Sequence, residues 1–513
     1  MSGPRVETGQ GTIEGTKQAG YERFLGIPYA QAPVGRLRFR APEPPLPHRG
    51  TFIADTYGPH APQPFSTMEH FLSEGAPIVT SEAECLRLNV WTPRCDHAQR
   101  PVMVWIHGGA FVAGSSTTPW YDGERFAVDH DLVMVSLNYR LGVLGFTYLG
   151  DVLGPELTGS GSLGIQDAVA ALRWVKENIA HLGGDPNNVT IFGESAGAMS
   201  VGTLLTLPEA RGLFHKAILQ SGAANSVMST DTATRHTNEL TSFLGLDHVT
   251  LDALQALPIE TLIEAHQALA AAHAREGLIS APVVDGTVLD RPPLEAVALG
   301  AASDIPLLIG TNQDEWRLFA LFDPVIMATD EDRLVSILET LLSDRAAAAL
   351  ATYRQRLGDV SPAVLLASAM SDSVFRMPAI RLAEAQRRAG GAAWMYLFTW
   401  AVPEAKNGLG SCHALELPFV FNTLDKPAAE LFVGQNSPRQ LARDLNATWA
   451  AFARYGDPAR GALGQWPSYD PLDRMTMVID IESGVRSDPL GDERALWPGL
   501  PARDRETSPT LAD

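Results

Sequence analysis

Short apolar runs rich in β-branched residues alternate along this chain with longer stretches of helical periodicity. That alternation predicts a mostly parallel sheet covered by helices on both faces, an α/β architecture. The clearest strands are Pro101–Ile106, Leu132–Leu137, Val189–Phe192, Ala217–Gln220, Ile305–Ile309, Ala393–Phe398 and Met475–Ile479. In the clearest helix, Ile165, Ala168, Val169, Leu172, Val175, Ile179 and Leu182 recur at helical spacing while Asp167, Lys176 and Glu177 fall off the stripe. Gly183-Gly184-Asp185-Pro186 ends that repeat.

The first hundred residues differ in character. Gly9, Gly11, Gly15 and Gly20 punctuate short alternating segments, and the stretch from Pro28 to Pro77 is rich in proline. This reads as an antiparallel edge hairpin followed by a long surface loop. From about Asp231 to Glu276, and again from Glu331 to Leu357, the chain is rich in Ala and Leu and reads as helical insertions between core strands. Neither a repeat period nor a flexible linker interrupts the pattern, so residues 1–500 are expected to form one large domain. The polar stretch 501–513 is expected to be an unordered tail.

The 513 residues carry 59 acidic and 39 basic side chains, a formal charge of −20. Such a surface repels phosphate backbones and anionic lipid heads, and no basic cluster offsets it, so neither nucleic acid nor membrane is an expected partner. With 45% apolar residues the chain is able to bury a large core. No run of 18 apolar residues reads as a spanning helix, and the N-terminus has no leader pattern. Three cysteines, Cys85, Cys95 and Cys412, make no disulfide framework and suit a reducing, cytoplasmic setting.

Candidate chemistry begins at Gly193-Glu194-Ser195-Ala196-Gly197, a G-x-S-x-G set directly after an apolar strand and before a small-residue stretch fit for a helix. A sharp strand-to-helix turn lifts a serine oxygen off the sheet, and flanking glycines make room for it. A serine hydroxyl needs a base, usually histidine held by a carboxylate, and in this arrangement the order is serine, acid, histidine. Strand Ile305–Ile309 runs into a loop ending at Asp314-Glu315, and strand Ala393–Phe398 is followed by a loop carrying His413. Spacing alone leaves Asp314 and Glu315 both open as the acid. His107 closes an earlier strand and opens Gly108-Gly109-Ala110-Phe111, a pattern that donates backbone N–H groups to an oxyanion; Gly109, Ala110 and Ala196 are the candidate donors.

At these residues the chain resembles the type-B carboxylesterase/cholinesterase family of α/β-hydrolases, in the manner of its bacterial para-nitrobenzyl-esterase-like members. The likeness runs nearly end to end, through Phe24-Leu25-Gly26-Ile27-Pro28-Tyr29, Gln220-Ser221-Gly222, Gly310-Thr311-Asn312-Gln313-Asp314-Glu315, His413-Ala414-Leu415-Glu416-Leu417-Pro418 and Phe452-Ala453-Arg454-Tyr455-Gly456-Asp457-Pro458. The resemblance implies an α/β-hydrolase fold with helical insertions over the active site, and it favours Glu315 over Asp314 as the acid. It also implies a supporting electrostatic role for Glu194 and places Glu416 behind the site. Departures are Ala83-Glu84-Cys85-Leu86-Arg87, where the family usually writes an acid, Asp, Cys, Leu and an aromatic, and Ala110 in place of a third glycine. Cys85 has no cysteine upstream of it, so the disulfide of secreted relatives is not expected.

The expected function is hydrolysis of small-molecule carboxylic esters through an acyl-enzyme, with the triad Ser195, His413 and Glu315, without cofactor or metal. An amide, carbamate or aromatic diester hydrolase with the same triad is the alternative, and a non-catalytic binding protein of the same fold is the remote one. Phe111, Trp316, Phe319, Phe375 and Met377 are expected to line an uncharged pocket. By resemblance Gly277 and Leu278 border its acyl side, where small residues admit bulky acyl groups. The assembly is expected to be a monomer or a homodimer.

Overall fold

A computed structural model describes residues 3–497 apart from 247, 275–276 and 403–407; the predicted tail 501–513 lies outside the described residues. Its main feature is an 11-stranded sheet. In chain order the strands are β1 (Thr16–Lys17), β2 (Glu22–Pro28), β3 (Arg87–Thr92), β4 (Arg100–Ile106), β5 (Val133–Leu137), β6 (Gly184–Glu194), β7 (Lys216–Gln220), β8 (Leu307–Asn312), β9 (Ala393–Phe398), β10 (Met475–Ile479) and β11 (Gly484–Ser487). Across the sheet the order is β11-β10-β9-β8-β7-β6-β4-β5-β3-β2-β1. The block from β10 to β5 is parallel throughout. Antiparallel strands flank it on both edges.

The two faces of this sheet are packed by separate cores, which explains the unbroken apolar runs. Along β4, Val102, Val104 and Ile106 join one cluster while Met103 and Trp105 join the other. In β6, β7 and β8, Ile191, Leu219 and Ile309 lie on the first side, and Phe192, Ile218 and Leu308 on the second. Helix Leu163–Asn178 packs its apolar stripe on the first side and passes through a short 3₁₀ turn to Gly183, which closes it at φ 83°. The strand that follows opens at Gly184, so Asp185 and Pro186, expected in the turn, belong to its irregular start.

The N-terminal expectation holds in part. Arg5–Thr8 and Gly11–Glu14 form the antiparallel hairpin, and Thr51–Ile53 adds to it in parallel as a separate three-stranded sheet. The stretch before β4 is nevertheless more than loop, since β2 and β3 enter the main sheet and their apolar residues are buried. The middle insertions are helical, at Thr230–Phe243, Leu251–Ala256 and Ile259–Ala272, then at Glu331–Leu342 and Ala346–Leu357.

Register places the site. Ile106 pairs with Gly193, Gln220 with both Glu194 and Gly310, and Asn312 with Phe398. The carboxyl ends of five neighbouring parallel strands therefore open along one edge, where ligand sites of such sheets lie. Among the described residues one helix, Pro362–Arg388 with 27 residues, is long and apolar enough to cross a bilayer by length and composition, and 83% of its most apolar window is buried inside the protein. At Asp372–Arg376 it widens into a π-turn, a feature frequent at functional sites.

Candidate active site

Ser195 stands between β6 and helix Ala196–Leu204 with φ 55° and ψ −125°, a backbone conformation that costs on the order of 1–3 kcal/mol. The turn is held from both sides. Ser195 N–H donates to the Gln220 carbonyl at 2.9 Å, and the Ser195 carbonyl accepts the Met199 N–H at 2.9 Å. Glycine is required next to it because a Cβ on Gly197 would lie 2.0 Å from the Ile106 carbonyl oxygen, and one on Gly193 would lie 2.5 Å from the Gly197 carbonyl carbon. The Ser195 residue itself remains partly exposed.

The acid and base loops are zipped together by their backbones. Asp314 N–H donates to the Ser411 carbonyl at 2.8 Å, Asp314 Oδ2 accepts the Ser411 N–H at 3.0 Å, and His413 N–H donates to the Glu315 carbonyl at 3.3 Å. Asp314 is thereby occupied with Ser411 and with Arg317 at 3.4 Å. Glu315, fully buried, sets Oε2 at 2.6 Å from His413 Nδ1, and its Oε1 accepts the Asn312 N–H at 2.7 Å. Of the two adjacent acids, the structure thus brings Glu315 to the imidazole.

The opposite ring nitrogen, His413 Nε2, lies 2.9 Å from Glu194 Oε1 without the alignment of a hydrogen bond. Glu194 Oε2 and Ser195 Cβ stand 2.9 and 3.1 Å from where a Gly108 Cβ would be, so Gly108 leaves the space in which Glu194 and Ser195 meet. Burial lowers the pKa of His413, but the charges of Glu194 and Glu315 and their contacts outweigh it and hold the imidazole well above its ordinary value. Burial raises the Glu194 carboxyl, partly offset by His413. A third glutamate, Glu416, is pushed up to about 8 by burial and by the two neighbouring carboxylates, against hydrogen bonds from Asn312 Nδ2 at 2.6 Å and Gln220 Nε2 at 3.0 Å.

Asn312 and Gln220 are members of this network that the sequence reading assigned no role. Asn312 Nδ2 also donates to the Cys412 carbonyl at 2.7 Å, and Gln220 Oε1 accepts the Trp449 indole N–H at 3.0 Å. Their signal was available as a lone amide at the carboxyl end of an otherwise apolar strand, where a buried polar group needs partners.

The loop after β4 is shaped by strained backbone. Gly109 has φ 106°, and a Cβ there would meet the Ala113 carbonyl oxygen at 2.1 Å; Ala110 and Phe111 follow at φ 54° and 63°. Among the described residues, none accepts the N–H of Gly109, Ala110 or Ala196. His107 is part of the scaffold. It stacks on Tyr139 at 4.5 Å, Tyr139 Oη donates to its carbonyl at 2.9 Å, and burial lowers its pKa to about 4.

Of the expected pocket residues, Phe319 and Phe375 flank the His413 ring at 5.0 and 4.8 Å and lie parallel to each other, 9° apart. Trp316 closes the cluster at 4.9 Å from Phe319. Phe319 is 37% exposed and forms its open side. Phe111 is placed differently: it is fully buried against Phe146 in the core, because its left-handed backbone turns it inward. Met377 is likewise buried in that core, Leu278 packs half-buried against it, and Gly277 is exposed. All three cysteines are free.

A family model described as the carboxylesterase family matches residues 2–497. The para-nitrobenzyl esterase of Bacillus subtilis is 38% identical over 95% of this chain and 97% of its own length. The phenmedipham hydrolase of Pseudarthrobacter oxydans is 37% identical over 93% and 95%. Among solved structures, the Geobacillus stearothermophilus carboxylesterase EST55 superposes with a TM-score of 0.87 at 42% identity, covering 96% of this chain and 99% of that one. The match spans nearly the whole chain, and the chain belongs to the carboxylesterase family, a carboxylic-ester hydrolase with the α/β-hydrolase fold.

Proposed function

We propose that this hydrolase works through an acyl-enzyme formed on Ser195. Ser195 Oγ attacks the ester carbonyl while His413 Nε2 takes its proton; the same imidazolium then gives that proton to the departing alcohol, and water repeats the attack to release the acid. Glu315 holds the ring and stabilises its charge. The observation that carries this reading is the 2.6 Å contact from Glu315 Oε2 to His413 Nδ1 in a fully buried setting, which commits Nδ1 to the acid and turns Nε2 the other way, where it stands 2.9 Å from Glu194 Oε1 on the residue next to the serine. The open N–H groups of Gly109, Ala110 and Ala196 supply the oxyanion hole, and each such donor is worth about 10² to 10³ in turnover. Glu194 supports the site electrostatically, and in the reaction Nε2 turns from Glu194 Oε1 to Ser195 Oγ.

The substrates are uncharged esters. The buried glutamates beside the imidazole, Glu194 and Glu315, disfavour an anionic substrate, whereas Phe319 and Phe375 offer an apolar wall beside the base. The relative named for para-nitrobenzyl esters makes 4-nitrobenzyl acetate a suitable probe. The experiment is covalent labelling with a fluorophosphonate followed by peptide mass spectrometry. One adduct, on Ser195, is the expected result. An unlabelled protein that still cleaves esters would overturn the nucleophile assignment.

A further inference from the structure

Pro378 lies inside the helix Pro362–Arg388, where it has no N–H to give and its ring crowds the carbonyl four residues back. The turn just before it is accordingly widened: Met377 N–H donates to the Asp372 carbonyl, five residues back. Such turns are rare in helices, and side chains brace this one on two fronts. Toward the active site, Ser371 Oγ accepts the Trp316 N–H at 2.9 Å while donating to the Ala367 carbonyl at 2.7 Å, and the Phe375 ring lies 4.8 Å from His413. Trp316 follows Glu315, so one stretch of helix touches the loops of both the acid and the base.

One position further along the helix, the contacts lead elsewhere. Asp372, only 5% exposed, spans the π-turn from its first residue to its last: Oδ1 accepts the Arg376 Nε–H at 2.6 Å, and Oδ2 accepts the Tyr353 hydroxyl at 2.7 Å. Tyr353 Oη in turn accepts the Trp497 indole N–H at 3.2 Å, and Arg376 donates Nη1 to the Leu490 carbonyl at 3.3 Å. A single buried carboxylate therefore ties the turn to helix Ala346–Leu357 and to the segment 490–497. Removing one partner of such a buried pair leaves the other charge uncompensated, which makes Asp372 the fixed point of the turn.

We propose that Asp372 is a positioning residue for ester hydrolysis, acting through Phe375 on His413; the inference rests on His413 being the base. The contact from Nδ1 to Glu315 fixes one corner of the imidazole, and the plane of the ring is set by what packs on it. Two rings do so, Phe319 at 5.0 Å and Phe375 at 4.8 Å. Phe319 is 37% exposed and has room to yield, whereas Phe375 is 3% exposed and moves only with its turn. Because Nε2 turns from Glu194 to Ser195 in the reaction, a displaced Phe375 misdirects that movement, and a misplacement of about 1 Å costs up to about 10²-fold in rate.

The test is a double-mutant cycle of Asp372→Ala and Phe375→Leu in the whole chain, read as kcat and KM for 4-nitrophenyl acetate. Rates are expressed per Ser195 labelled by a fluorophosphonate, so that misfolded protein cancels; an unaltered protein that does not label would fault the triad and not Asp372. Asp372→Ala alone is expected to lower kcat about tenfold with KM changed by less than about twofold. In the Phe375→Leu background the same substitution is expected to lower kcat by less than about twofold, because the ring through which it acts is gone. A loss of the same size in both backgrounds, or none in the first, would overturn the proposal. Should Asp372→Ala fail to fold, Tyr353→Phe takes its place: it removes the 2.7 Å bond alone, and its loss in kcat, about threefold, is again expected only while Phe375 is present.

Discussion

Glu194 Oε1 lies 2.9 Å from His413 Nε2, while Glu315 Oε2 lies 2.6 Å from Nδ1 of the same ring. The imidazole is therefore held between two buried carboxylates, and their charges overcome the lowering effect of burial on its pKa. Only the neutral ring accepts a proton from serine, so activity rises with pH as His413 loses its proton. Because its pKa is raised, that rise lies above the ordinary histidine range. Glu194→Gln removes one charge and moves the acid limb of the kcat/KM profile to lower pH. The profile is measured with 4-nitrophenyl butyrate; a flat response from pH 5 to 8, or a limb that Glu194→Gln leaves in place, would remove His413 from the role of base.

Asp314 and Glu315 are adjacent but face different partners, and this separates their variants. Glu315→Gln keeps the size of the side chain but loses the charge that stabilises imidazolium, and turnover falls by about 10³ to 10⁴. Asp314→Asn weakens the docking of the loop at Ser411 and Arg317 and changes turnover by less than about tenfold, with a lower melting temperature as its main effect. Steady-state rates on one ester, paired with thermal melts, tell the two apart. The opposite ranking would assign the acid to Asp314.

Much of the fold was legible because β4 to β10 are buried on both faces and read as plain apolar runs. The outlying strand β2, next to the edge, was not legible. Gly26 sits within it at φ 68°, where a Cβ would meet the Thr56 carbonyl oxygen at 2.6 Å, and the register to β3 slips between Phe24 and Ile27. Such a bulge destroys the period of two on which a strand is recognised. At the site, Ser195 and His413 were legible because their chemistry is tied to short motifs. Which of two neighbouring acids turns toward a ring is decided by a tertiary contact, since Ser411, distant in sequence, takes Asp314 while the nearby Asn312 N–H holds Glu315. The inward turn of Phe111 has the same origin, since nothing in Gly109-Ala110-Phe111 announces three consecutive positive φ values.

Glu416 links the site to stability. Its pKa in the folded protein is raised from 4.5 to about 8, so between those values the native state holds a proton that the unfolded chain has released. Its contribution to stability therefore declines as pH rises through that window. Glu416→Gln removes the titration at the cost of mismatching one of the two amide bonds from Gln220 and Asn312. The variant melts below the unaltered protein at pH 5, and the gap narrows by pH 8. Melting curves at several pH values check this; a gap that stays the same from pH 5 to 8 would mean that Glu416 is ionised throughout.

The aromatic wall makes the last prediction. Phe319 and Phe375 lie parallel beside His413, and Phe319 forms the exposed side, so an acyl chain entering along that wall gains contact with each added methylene. One methylene in an apolar pocket is worth about 1–3 kcal/mol when fully enclosed and less on an open wall. The unaltered protein is therefore expected to hydrolyse 4-nitrophenyl butyrate at least as efficiently as the acetate. Phe319→Ala lowers kcat/KM for the butyrate by about tenfold and for the acetate by much less, because the shorter chain does not reach that ring. The ratio of the two specificity constants is the readout, since any general loss of active protein cancels from it. A steep fall from acetyl to butyryl in the unaltered protein, or an equal loss for both esters in the variant, would show that the acyl chain lies elsewhere.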